Sequence, residues 1–95
     1  MTFQRISALC ELISRYEYHK KPEHEVVVII SFDKLSEMRA KCTKQLMFTK
    51  DKEDYFMECK VIMSHYTSND YLAVAYLDAT GNISDVVEIT QEEMK

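Results

Sequence analysis

The sequence predicts an α+β fold in two layers, with two helices packed on a four-stranded, mostly antiparallel sheet. Three observations predict it. Two segments place apolar residues at spacings of three and four, which gathers them on one side of a helix. A run of β-branched residues, Val26 to Ile30, is poor helix material and fits a central strand covered on both faces. The last third of the chain alternates with a period of two and is broken by turn residues, as in an antiparallel meander. The element order is α-β-α-β-β-β, within a single domain spanning residues 1–95.

The first helix is expected over residues 3–17. Phe3, Ile6, Leu9, Cys10, Ile13 and Tyr16 form its apolar side, and Gln4, Ser7, Glu11, Arg15 and Tyr18 fall opposite. Thr2 can cap its start, and Pro22 with the polar run His19-Lys20-Lys21 closes it. Glu25–Phe32 is the central strand. Asp33 then reads as the N-cap of a second helix running to about Leu46, with Leu35, Met38, Cys42 and Leu46 as its stripe. Residues 45–49 also have the character of a short strand, and the charged run 49–54 reads as a solvated loop. Tyr55–His65, Tyr71–Asp78 and Ile83–Ile89 are the remaining strands, joined at Thr67-Ser68-Asn69-Asp70 and Thr80-Gly81-Asn82. A crossover through the second helix would make the central strand parallel to the one after it.

Composition bounds the function. The chain has 95 residues, a net charge of −4, and one Gly. A domain this small buries a thin core, so a partner or a second copy is a natural source of further stability. Arg5 and Glu11 interrupt what would have to be the apolar run of a secretory signal, and no stretch is long and apolar enough to span a bilayer. Cys10, Cys42 and Cys59 are odd in number and widely spaced, which points to reduced thiols and a cytoplasmic location.

The motifs of catalysis and metal binding are not found. Cys59 and His65 lie on one strand, separated by about 20 Å at ~3.3 Å per residue, too far for a nucleophile and its base. Cys10 and Cys42 sit within helical apolar stripes, where cysteine is usually a small core residue. His19 and His24 flank Pro22 without a cysteine pair to complete a zinc site. One glycine leaves no phosphate-cradling loop. We therefore expect no enzyme activity, no cofactor and no metal.

What remains is surface. Residues 1–60 carry 11 Lys/Arg against 10 Asp/Glu, whereas residues 61–95 carry Lys95 against six acids. An acidic third suits a basic partner, including a nucleic-acid-binding protein. If Met57, Cys59, Val61 and Met63 face the helices, then Phe56, Ile62 and Tyr66 point away, leaving a partly apolar sheet face with too few helices to cover it. The expected partner-binding residues are thus Phe56, Ile62, Tyr66 and Tyr71, with the acids Asp70, Asp78, Asp85 and Glu88. The expected function is a small protein-binding module of the inhibitor or immunity type that blocks a protein target. A homodimeric accessory or scaffold subunit is the alternative. Direct nucleic-acid contact through Lys34, Arg39, Lys41 and Lys44 of the second helix comes a distant third, against the net negative charge.

Overall fold

Helix α1 (Phe3–His19) begins at Thr2, whose hydroxyl accepts from the Arg5 backbone N–H at 3.2 Å. Its buried side chains include Ile6, Leu9, Ile13 and Tyr16 of the expected stripe, and Arg5, which the spacing does not predict; Cys10 is half-buried, and Phe3, at the exposed first turn, lies outside the core. The structure, a computed structural model, describes residues 2–65 and 68–90. Among these, no helix is long and apolar enough to cross a membrane.

Strand β1 (Glu25–Ser31) follows and is central, as its β-branched run requires. Helix α2 (Phe32–Lys41) starts directly after it and stops at Cys42, earlier than the stripe through Leu46 implied. There the backbone turns extended, and the amides of Leu46 and Met47 both donate to the Thr43 carbonyl. The chain then forms β2 (Met47–Lys50), β3 (Glu53–Phe56), β4 (Cys59–Ser64), β5 (Leu72–Leu77) and β6 (Ile83–Glu88).

The sheet is therefore six-stranded and mixed, in the order β2-β3-β4-β1-β5-β6. Strand β1 runs parallel to β4 and antiparallel to β5. The α+β class holds, but the four-stranded, mostly antiparallel sheet does not. The extra strands come from two hairpins whose turns carry no glycine. Asp51-Lys52 joins β2 to β3 and Met57-Glu58 joins β3 to β4, and all four residues have positive φ, between 49° and 67°. Two-residue turns of this left-handed kind match the twist of a hairpin and are normally announced by Asn-Gly or Asp-Gly. Without that signal, 49–54 read as a loop and Tyr55–His65 as one strand.

The second turn also reverses a prediction about sidedness. Phe56 pairs directly with Cys59, so both side chains project to the same side of the sheet. That side carries Val26, Val28 and Ile30 of β1 and packs against Leu9 and Ile13 of α1 and Leu35 and Met38 of α2 in one core. Phe56 is 0% exposed there. It is a core residue and takes no part in an outer face.

One polar group anchors this core. The Arg5 guanidinium, 1% exposed, donates from Nη1 to the Asp70 carboxylate and from Nη2 to the Asp70 carbonyl, each at 2.6 Å. Its Nε and Nη2 also donate to the Ile89 carbonyl, at 3.2 and 2.8 Å. This fork ties the first turn of α1 to the residues flanking β5 and β6.

Candidate functional site

Strand register defines the opposite face of the sheet. Residues paired across neighbouring strands project to the same side, and successive residues alternate. Val27 pairs with Lys60 and Ala75, and Ile29 with Ile62 and Ala73. Leu77 pairs with Glu25 and with Ile83, and Glu88 with Ala73. Tyr55 joins the same face through Lys60, and Phe48 through Tyr55. Both helices contribute to the core on the other side, so among the described residues this face is free of helix. Val27, Ala73 and Ala75 are buried in its floor, Ile29, Ile62 and Leu77 are half-buried, and Ile83 is exposed.

At one flank the rings of Phe48 and Tyr55 stack at 5.3 Å, with Glu53 bridging the Tyr55 hydroxyl and the Lys60 ammonium, each at 3.3 Å. At the other, Tyr71 is half-buried. Glu88 pairs with Ala73, two residues from Tyr71 on the same side; burial raises the Tyr71 hydroxyl pKa and the Glu88 charge adds to the shift. The face is an apolar strip between two tyrosines, with a mixed charge at one end and an acid at the other.

The expected binding residues fall into distinct environments. Ile62 and Tyr71 belong to this face, and Phe56 does not. Tyr66 lies outside the described residues. Asp70 holds Arg5 at 2.6 Å and Lys34 at 3.3 Å. Burial opposes its charge, but the two cations outweigh burial and hold its carboxyl below the usual range. Asp78 closes its own turn: one carboxylate oxygen accepts from the Thr80 hydroxyl and from the amides of Thr80 and Asn82, at 2.7–2.9 Å, and Gly81 supplies the positive φ of 89°. Those bonds lower its pKa.

Asp85 sits in a bulge of β6, with φ of 53°, where two residues oppose Ala75. The bulge delivers its carbonyl to the Tyr16 hydroxyl, which donates to it. Burial raises the pKa of both Tyr16 and Tyr76, and the nearby Asp85 charge adds to the shift. Among the described residues, neither Asp85 nor Glu88 has a cation within ion-pair distance.

The remaining chemistry is muted. Burial and the Glu17 carboxylate push the Cys59 thiol up to about 12, and burial raises Cys10 and Cys42. All three cysteines are free. Cys10 and Cys42 line an apolar cleft of about 340 Å³ beside Phe3 and Leu46. Among the described residues, no three His, Cys, Asp or Glu side chains converge to hold a metal ion. On α2, Lys34 is bound by Glu37 at 2.6 Å and Arg39 by Asp54 at 2.5 Å, so both cations have internal partners.

No protein-family model, no curated protein and no solved structure matches the chain.

Sequence reasoning missed Ile29, Phe48 and Tyr55 as parts of this face. Phe48 and Tyr55 were detectable: they are placed symmetrically about Asp51-Lys52, the signature of a two-residue hairpin. Ile29 was hidden because an unbroken β-branched run does not declare which face is covered.

Proposed function

We propose that the chain is a non-enzymatic protein-binding module of the inhibitor or immunity type, working in the cytoplasm against a basic or nucleic-acid-binding protein. The observation that carries this reading is the helix-free sheet face, with half-buried Ile29 and Ile62 between Tyr55 and Tyr71 and half-buried Leu77 at the far end of β5. Partly exposed apolar strips flanked by tyrosine are favoured contact surfaces, because tyrosine combines buried area with a hydrogen-bonding tip. Asp85 and Glu88, on the edge strand beside this surface, have no cation within ion-pair distance among the described residues, which favours a basic partner. Protonated thiols make poor nucleophiles, and this supports a binding role over a catalytic one.

The test begins with capture from the native host, identification of the bound protein, and direct titration of the two purified proteins. Ile62→Lys and Leu77→Lys, each on the helix-free face, should abolish that binding while leaving the circular dichroism unchanged. Phe32→Ser, on an exposed residue at the start of α2, should keep it. Binding that survives both lysine variants refutes the assignment of this face. A stable dimer that closes the face in the absence of any partner would establish the scaffold alternative instead.

A further inference from the structure

We infer that β6 is a strand-addition site, at which an extended basic segment of the partner pairs with its outer edge. The inference rests on the protein-binding reading above and specifies how the partner is held. Strand β6 is the last in the sheet, and all six of its residues are exposed. Its apolar side chains stand on both faces: Ile83 is 43% exposed on the helix-free face, and Val87, paired with Val74, is 43% exposed on the helix side. Val86 is 47% exposed. Neither helix layer nor sheet covers them, whereas a strand laid alongside would cover both sides at once.

The backbone is also available. The Ile89 amide donates inward to the Leu72 carbonyl at 2.8 Å. Residues of an antiparallel ladder alternate between inward and outward pairing, so the N–H and C=O of Glu88 point away from β5. An edge of this kind is a template for another strand. Charge selects which strand. Asp85 and Glu88 both stand on this exposed strand, and among the described residues neither has a cation within ion-pair distance. A second copy of β6 would bring four carboxylates together, so the edge rejects self-pairing and accepts lysine or arginine. The bulge at Asp85 restrains indiscriminate pairing further, since a twisted edge fits fewer strands.

The experiment uses end-capped peptides on the intact protein. Lys-Val-Lys-Val-Lys-Val-Lys is compared with its valine-to-glycine counterpart of equal charge and with a fully N-methylated version that cannot form a ladder. The alternating peptide should bind and shift the amide resonances of residues 83–88. The N-methylated control should bind at least about tenfold more weakly, the loss expected from one or two backbone hydrogen bonds, and the glycine control should weaken through lost apolar contact. Glu88→Pro removes the outward donor and should weaken binding by more than Glu88→Gln, which removes only charge. Proline is tolerated on an edge strand where the N–H faces solvent, and the N-methylated peptide gives the same answer without touching the protein.

Equal binding of all three peptides, or shifts confined to other strands, would overturn the inference. So would a dimer of the free protein formed through β6. With the captured partner, loss of binding in Ile62→Lys but not in Glu88→Pro overturns strand addition alone. Retention in both overturns the sheet-face reading itself.

Discussion

Arg5→Ala should destabilise the protein more than any exposed charge substitution. The guanidinium is 1% exposed and makes four hydrogen bonds, to the Ile89 carbonyl, the Asp70 carbonyl and the Asp70 carboxylate. Removing it strands two carbonyls at about 1–3 kcal/mol each if they stay dry. Breaking a buried ion pair costs about 3–5 kcal/mol in general. The Asp70 side chain is 48% exposed and keeps Lys34 at 3.3 Å, so water and that ammonium offset part of the loss. The lower end, about 3 kcal/mol, is therefore expected. At about 4–8 °C per kcal/mol for a domain of this size, Tm should fall by about 12–24 °C. Arg5→Lys should recover only part of this, since one ammonium cannot reproduce the planar fork. Asp70→Asn keeps the carbonyl and should cost about 1 kcal/mol or less.

The sign of the pH dependence follows from Asp70. Its folded pKa is depressed, so its contribution is present above the unfolded value near ~3.9 and is lost as pH falls through the folded value. Asp70→Asn should flatten the acid limb of the stability profile and leave the neutral region parallel to wild type. Urea denaturation followed by circular dichroism measures each quantity. An Arg5→Ala protein within about 1 kcal/mol of wild type would refute the reasoning, because buried carbonyls stripped of their donor cannot be that cheap.

Two further outcomes follow from particular residues. Lys52 and Glu58 hold φ values of 66° and 67°, so Lys52→Gly and Glu58→Gly should each raise Tm. Relief of about 1–2 kcal/mol of left-handed strain outweighs the ~0.5–1 kcal/mol of backbone entropy that glycine adds to the unfolded chain. Cys59, with its thiol pushed up to about 12, should resist iodoacetamide at mildly alkaline pH until urea unfolds the chain. Alkylation of Cys59 in the folded protein as fast as in a free thiol would contradict that burial.

The parts of the fold legible in the sequence are those set by local periodicity. The α1 stripe, the central β1 and the strands β5 and β6 follow from spacing and side-chain shape alone. The parts that were not legible depend on backbone conformations that the local residues disfavour. Asp51, Lys52, Met57 and Glu58 adopt positive φ because hairpin pairing on both sides compensates for the strain. No propensity rule marks a Met-Glu pair as a turn. Missing that one turn inverted the sidedness of Phe56, since a two-residue hairpin returns Cys59 to the same face and an uninterrupted strand would not. Ile62 kept its assignment because no turn intervenes between it and Cys59.

Charge was legible in the same limited way. The acidic excess of residues 61–95 is plain in the sequence, but what each acid does depends on contacts that span most of the chain. Asp70 meets Arg5 and Lys34, 65 and 36 positions away, and Asp78 is consumed by its own turn. Neutralising all four acids together would thus weaken α1 docking and the β5–β6 turn, and slower association would no longer report on a partner. Asp85 and Glu88 are different. They stand on the exposed edge strand, and among the described residues neither has a cation within ion-pair distance. Exposed charges of this sort contribute little to stability and act mainly on association rate, with an effect that salt screens over about 10 Å at 0.1 M. Of the four acids, these two are therefore the ones at which an electrostatic contribution to the proposed partner binding can be changed without disturbing the ion pairs that hold the helix layer to the sheet.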